Sequence, residues 1–375
     1  MRRSAAVGRT PPAQLIVPAC PERSPPVKIL VVKPSSLGDI VHALFAVQAL
    51  RVAMPSAEIW WVANDSLSSI VSLCPGIRVI PFPRKSWGRL RGFLHELRVQ
   101  EFDAVLDFQG LLRSALISWA ARSPSRYGFR QSREGARFFY TRRVDLPSGI
   151  DHAVEKNLYL VKEFLGDRGL AMPEVPGDIS LSLPAEWQEE AERLVAAHGF
   201  AGRPLLAVGA SSRWASKSWA EEYFSEVLKG VLAARPEVAV WLLGSPDERD
   251  RAERVRMLCG SRAVVNLAGL TSMGGLCALL SRSNALFTND SGPMHIAALE
   301  GVPCVANFGS TNPALTGPYG PPGRHYVVKS LCPQAPCFQR ECPRGDNSLC
   351  SQGIGISVVV GEILKRLDVQ STQVK

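Results

Sequence analysis

Beyond residue 26 the chain alternates short β-branched runs with longer amphipathic ones, and it does so twice, on either side of a proline-containing break. That alternation is the mark of strand–helix–strand units, whose crossover helices make neighbouring strands run parallel. In the front half it predicts strands at 29–33, 58–62, 78–80 and 104–107, with helices at 40–54, 86–98 and 111–121, then a helix at 152–165 after a basic stretch. Residues 172–184, with Pro173, Pro176 and Pro184, read as a linker. The back half restarts with helix 184–198 and strand 205–208, and continues with helix 219–235, strand 239–243 and helix 247–259. Strand 264–267, helix 272–281, strand 285–288, helix 293–299 and strand 304–307 follow. The expectation is an α/β protein with two Rossmann-like, doubly wound domains, 27–180 and 181–355. A last helix within 356–375 is expected to pack back toward the front domain. A length of 375 residues agrees, since one core rarely organises so long a chain. Two such sheets place their crevices at the carboxyl ends of their strands, and facing crevices make a cleft.

Charge divides unevenly between the halves. Residues 1–185 carry 24 Lys+Arg against 16 Asp+Glu, whereas residues 186–375 carry 19 against 18. A basic front half suits a polyanionic partner: nucleic acid, an anionic membrane face, or a phosphorylated or carboxylated small acceptor; a merely solvated surface is the plain alternative. No stretch approaches the roughly 18 apolar residues of a membrane span. Residues 1–26 hold six prolines and no long apolar run, so they are expected to be a disordered extension rather than a secretory signal. Nine cysteines without an export signal favour reduced thiols in a cytoplasmic setting.

Four segments join a predicted strand to a predicted helix with residues suited to chemistry. The first runs Lys33-Pro34-Ser35-Ser36-Leu37-Gly38-Asp39-Ile40-Val41-His42. Asp39 falls where a helix cap belongs, and equally where a general base could stand at a crevice mouth, with Gly38 admitting close approach. The second, Thr288-Asn289-Asp290-Ser291-Gly292-Pro293-Met294-His295, begins a helix with Ser291 as cap and Pro293 early in the first turn. Free N–H groups there suit a diphosphate, and His295 is within reach of it. The third, Gly209–Trp219, offers Ser211, Ser212 and Lys217 as partners for a leaving phosphate. In the fourth, Gly244–Glu248, a carboxylate follows a strand end, where doubly wound folds meet ribose hydroxyls. The phosphate-loop, nucleophile-elbow, zincin and dinucleotide fingerprints are missing from the sequence.

Taken together, K-P-S-S-L-G-D-I-V-H and T-N-D-S-G-P-M-H-I-A-A-L-E-G-V-P resemble the paired hallmarks of the heptosyltransferase family of glycosyltransferases. D-F-Q-G-L-L-R-S at 107–114, D-H-A-V-E at 151–155 and F-G-S-T-N-P at 308–313 extend the likeness over nearly the whole chain after Val27. The resemblance implies a GT-B fold and metal-independent, inverting transfer of a heptose from ADP-heptose to the 3-deoxy-octulosonate region of the lipopolysaccharide inner core. It makes Asp39 the catalytic base. Ser211, Ser212 and Lys217 would hold the diphosphate, Glu248 the ribose, and Asp290, Ser291, Gly292 and His295 the diphosphate and sugar. Ser36, Gly38, Gln109, Arg113 and Arg133 would face the acidic acceptor. The form of the Asp39 and Lys217 segments is more like the enzyme that adds the first heptose than the second.

The implied partners are a nucleotide-sugar donor and an anionic lipopolysaccharide precursor, without nucleic acid. The implied location is the cytoplasm, peripherally at the inner face of the cytoplasmic membrane. Alternatives are addition of the second heptose or of another nucleotide-linked sugar, or a noncatalytic nucleotide-sugar-binding protein, which would tolerate loss of Asp39. Three features depart from the family pattern: the proline-rich extension, Ser211-Ser212 in place of threonines, and a group of four cysteines. Cys332, Cys337, Cys342 and Cys350 are close enough in sequence to hold a structural zinc or iron–sulfur cluster, although the spacing is not that of a standard finger.

Overall fold

The computed structural model describes residues 26–84, 86–175 and 177–371; the expected extension at 1–26 falls almost wholly outside them. Six front strands, β1 (Lys28–Val32), β2 (Glu58–Asn64), β3 (Ile77–Phe82), β4 (Ala104–Asp107), β5 (Ser125–Phe129) and β6 (Arg142–Val144), form one sheet in the order β3-β2-β1-β4-β5-β6. Six back strands, β7 (Leu205–Gly209), β8 (Ala239–Leu242), β9 (Val264–Asn266), β10 (Ala285–Asn289), β11 (Cys304–Phe308) and β12 (Tyr326–Lys329), form a second, ordered β9-β8-β7-β10-β11-β12. Every pairing is parallel. The two sheets thus repeat one winding, and each reverses its strand order at one point, β1/β4 in front and β7/β10 behind.

Parallel strands covered on both faces are buried throughout, which is why β1, β4, β7, β10 and β11 read as continuous apolar runs. The sequence pattern missed β5, β6 and β12. β5 and β6 lie at one edge of the front sheet, where Arg126, Arg142 and Arg143 alternate with Tyr127 and Val144, so that few residues carry an apolar signal. The helix expected at 86–98 begins later, at Leu90–Val99, after a tight turn at Trp87–Arg89.

The lobes share a core. Helix Leu37–Ala53 is buried from Ile40 to Val47 and packs both on helix Ala153–Gly166 of its own lobe and on helix Gly292–Leu299 of the other. The linker is stitched to both sides: Ser182 N donates to Leu73 O, and Ile179 N to Leu299 O.

The C-terminal helix, Ile356–Ser371, corrects an expectation. It packs against the back lobe rather than the front one, chiefly on helix Glu221–Ala234. Its stripe Val359, Ile363 and Leu367 is fully buried among back-lobe residues. Gly230 makes room for it, since a Cβ there would stand 2.7 Å from Val360. Arg366 then fixes its end by donating to the backbone oxygen of Arg324.

Candidate active site

Both reversal points open onto the same seam. Val32 pairs beside Asp107 and Gly209 beside Thr288, so the loops after β1 and β4 start side by side, as do those after β7 and β10. Doubly wound sheets bind ligands outside such a point. The segments containing Asp39, Gln109, Lys217 and Asp290 leave from these strand ends.

Asp39 is the third residue of helix Leu37–Ala53 and is both cap and candidate base. The backbone N–H and hydroxyl of Ser36 donate to one carboxylate oxygen at 2.9 and 2.7 Å. The other oxygen faces Lys33 Nζ at 3.6 Å, and 42% of the side chain remains exposed. Burial alone would raise this carboxyl; the Lys33 ammonium, the two Ser36 hydrogen bonds and nearby His295 outweigh it and hold the group below its usual value. Lys33 is itself pinned, its ammonium donating to Phe108 O at 2.9 Å. The capping and catalytic readings of Asp39 therefore coexist, because the cap uses one oxygen and fixes the direction of the other.

Buried Asp107 closes the neighbouring loop. It accepts from the backbone of Gln109 and Gly110 and from the Tyr140 hydroxyl, presenting Gln109 beside Ser35. Of the expected acceptor residues, Ser36 is thus held against Asp39 and Gln109 against Ser35. Arg113 stands over the Phe82 ring at 5.8 Å, near the end of β3, while Arg133 is exposed on a loop tied to Gly110 by one backbone hydrogen bond. Neither guanidinium hydrogen-bonds to Asp39 among the described residues.

Across the seam, Asp290 is 4% exposed and turns inward to Lys217, whose ammonium lies 2.7 Å from it. Thr311 donates to the same oxygen at 2.7 Å, and His295 Nε2 is 4.0 Å from the other. The carboxylate thus orients Lys217 and His295 rather than meeting an anion itself, which its charge would repel. Ser212 donates to the backbone oxygen of Asp290, and Ser291 and Thr288 exchange a hydroxyl hydrogen bond. Ser211 is buried close by. Lys217 also lies 4.7 Å above the Trp214 ring, a contact without a signal in the residue pattern. Glu248 accepts from Ser245 N at 2.7 Å and caps the turn after β8.

The two hallmark segments touch. A Cβ on Gly38 would lie 2.5 Å from His295 Cδ2, and one on Gly292 would lie 2.6 Å from Leu37 Cδ2. The close approach that Gly38 permits is therefore by the imidazole of the opposite lobe. Behind it stand two further histidines, to which the residue pattern assigns no role: His42, with its ring 4.4 Å from that of His295, and His152, 5.5 Å from His42. His152 Nε2 donates to Gly317 O across the seam while Nδ1 accepts from Val154 N. Both ring nitrogens of His42 are buried without a hydrogen-bond partner among the described residues. Burial, aided by His295, His152 and Lys33, holds His42 well below its ordinary value; burial also holds His295 at about 4 although Asp290 and Asp39 pull it upward, so both rings are neutral at pH 7.

Cys332, Cys337, Cys342 and Cys350 surround one small void with Ser216 and Gly309. Among the described residues no group of three or more His, Cys, Asp or Glu side chains is arranged to hold a metal ion, so the expected zinc or iron–sulfur cluster finds no support. The loop instead braces the Lys217 segment. Ser216 donates from its backbone to Arg340 O and from its hydroxyl to Gln339 O.

Residues 90–347 match the model of glycosyltransferase family 9 (heptosyltransferase). The chain is 32% identical over 331 residues to lipopolysaccharide heptosyltransferase 1 of Pseudomonas aeruginosa, covering 84% of this chain and 87% of that one. It is 28% identical over 299 residues to the lipopolysaccharide core heptosyltransferase OpsX of Haemophilus influenzae, covering 78% and 82%. Among solved structures, Escherichia coli heptosyltransferase WaaC with ADP-2-deoxy-2-fluoro heptose superposes with a TM-score of 0.70 at 25% identity, over 90% of this chain and 99% of that one. The doubled winding is accordingly the GT-B architecture that the resemblance implied, and the chain belongs to glycosyltransferase family 9, the heptosyltransferases.

Proposed function

We propose that this glycosyltransferase moves a heptose, with inversion, from ADP-heptose to a 3-deoxy-octulosonate residue of a lipopolysaccharide precursor, as the first heptose of the inner core. It would act in the cytoplasm at the inner face of the membrane, the front lobe (27–180) taking the acceptor and the back lobe (181–355) the donor. The names of the two relatives and the ligand of the WaaC structure support the substrates. The observation that carries the reaction is the contact of Gly38 with His295, which sets the Asp39 carboxylate of one lobe against the Lys217–Asp290–His295 group of the other.

In this reading the free oxygen of Asp39 takes the proton of the acceptor hydroxyl. As it does so, the acceptor hydroxyl oxygen bonds to the anomeric carbon from the face opposite the diphosphate, and the bond from that carbon to the diphosphate breaks. A carboxylate held below its usual value is a weak base, but it is fully ionised. The hydroxyl becomes acidic only as its oxygen bonds, so the proton moves late. Charge that builds on the departing diphosphate meets Lys217, Ser211, Ser212 and the free N–H groups at the start of helix Gly292–Leu299. Glu248 would accept from the ribose and Arg113 and Arg133 would meet the acceptor carboxylate. Neutral His295 can donate one hydrogen bond without competing with Lys217 for the anion.

Asp39→Asn tests this. The amide oxygen can still accept from Ser36, so the helix start survives, while the base is gone. Turnover is expected to fall roughly 10²–10⁴-fold with the ADP affinity unchanged. Retention of more than a tenth of the wild-type turnover would remove Asp39 from the chemistry.

A further inference from the structure

Helix Leu112–Ala120 follows β4 at the front reversal point, and its outer face is unusual. The three positions it exposes are Leu112, Leu116 and Trp119, at 40, 44 and 57%, and all are large and apolar. Their spacing of four and three residues puts them on one narrow stripe. A surface helix ordinarily turns charged or polar residues outward; this one has no acidic residue and no lysine in its length. The neighbouring turn Ala136–Phe139, packed against this helix, adds Phe138, 67% exposed.

The surrounding charge has one sign. From Leu111 to Val144 the chain contains eight arginines and one acidic residue, Glu134, which is occupied in accepting from Leu112 N. Arg122, Arg137 and Arg143 are exposed and form no ion pair among the described residues. Apolar side chains ending in an indole, set among unpaired guanidiniums, complement a bilayer interface with anionic headgroups: the acyl boundary takes the stripe and the phosphates take the arginines. An acidic protein partner would use the arginines but leave a tryptophan and two leucines without a matching surface.

We propose that the stripe Leu112, Leu116, Trp119 with Phe138 is the face by which the front lobe docks on an anionic phospholipid bilayer. The face is continuous with the loop that carries Gln109 and Gly110. Docking there brings the mouth of the seam to a lipid-anchored acceptor without drawing the acceptor out of the membrane. In its purpose, though not in its chemistry, this rests on the acceptor being lipid-linked as proposed above.

Flotation of the full chain with vesicles tests it without acceptor or donor. The protein is expected to float with phosphatidylglycerol–phosphatidylethanolamine vesicles, to float far less with phosphatidylcholine alone, and to be released by high salt. Leu116→Glu with Trp119→Glu should lower the partition coefficient at least about tenfold at an unchanged melting temperature. Arg137→Glu with Arg143→Glu should lower it about fivefold per arginine at low salt only. The double glutamate variant should keep wild-type turnover on a lipid-free acceptor sugar, whereas failure of the catalytic reading would appear in Asp39→Asn and leave flotation untouched. Equal flotation of wild type and the double glutamate variant overturns the proposal. So does a change confined to sedimentation, which would make the stripe a contact between copies of the chain.

Discussion

Gly38→Ala isolates the apposition of the lobes from every chemical group in the site. The added methyl would stand 2.5 Å from His295 Cδ2, where carbon atoms ordinarily meet at about 3.5–4.0 Å. The ring cannot yield easily, being buried between His42 and Asp290. Relief therefore requires the lobes to part by about 1 Å, and a displacement of that size between reacting groups costs on the order of 100-fold in rate. The back-lobe cluster around Trp219, Phe224 and Phe287 and the front-lobe cluster around Val62, Phe93 and Val105 lie away from this contact, and alanine suits the first turn of a helix better than glycine does, so folding should be intact. The expected result is a kcat about 100-fold lower, an ADP affinity within about twofold of wild type by calorimetry, and an unchanged melting temperature. Gly92→Ala, inside helix Leu90–Val99 with no atom within 4 Å of the new Cβ, serves as the control and should leave kcat alone. Full turnover in Gly38→Ala would show that the reacting form holds the lobes differently, and the reasoning from this contact would fail.

Two further perturbations probe the same seam. Lys217→Met removes the ammonium paired with Asp290 and leaves a buried carboxylate without its counter-charge; kcat/KM for the donor should fall roughly 100-fold or more, with a lower melting temperature, and Lys217→Arg should recover part of the stability but less of the rate. For pH, the signs are as follows. His42, His152, His295 and His325 all lie below the ordinary imidazole value when folded, the last two at about 4, so unfolding takes up protons as pH falls from 6.5 toward 4. Their contribution is complete above pH 6.5 and is lost below it. Glu300, pushed up to about 8, and Asp107, also raised by burial, act in the opposite sense. Four imidazoles against two carboxyls leave a net loss of stability on acidification, roughly 1.4 kcal/mol per pH unit for each proton in excess. Urea midpoints at pH 7.5 and 5.0 measure it, and a higher midpoint at pH 5.0 would contradict the assignment.

Much of this was legible before any coordinates, because it rests on local pattern. Strands buried on both faces announce themselves as apolar runs, and β1, β4, β7, β10 and β11 were found for that reason. The edge strands β6 and β12, and β5 beside β6, carry no such signal, since each buries only one or two side chains and arginines interrupt β5 and β6. The C-terminal helix is legible but its lobe is not: periodicity gives its apolar stripe, while the surface that receives the helix is opened by Gly230 against Val360, more than a hundred residues away. The role of Asp290 was blurred for a similar reason, because its pairing with Lys217 and Thr311 joins three separate loops.

The two hallmark glycines show where reading from sequence reaches its end. A glycine in a strand-to-helix turn suggests backbone freedom or space for a substrate, yet neither Gly38 nor Gly292 has positive φ. Any residue could adopt their backbone, so conformation does not account for them. What they lack is volume: each leaves room for a side chain of the other lobe, His295 against Gly38 and Leu37 against Gly292. The two motifs are therefore complementary halves of one contact, each supplying a gap and a filler, and neither half has a reason on its own strand of text. Only the doubled winding, which brings both reversal points to one seam, makes them a pair.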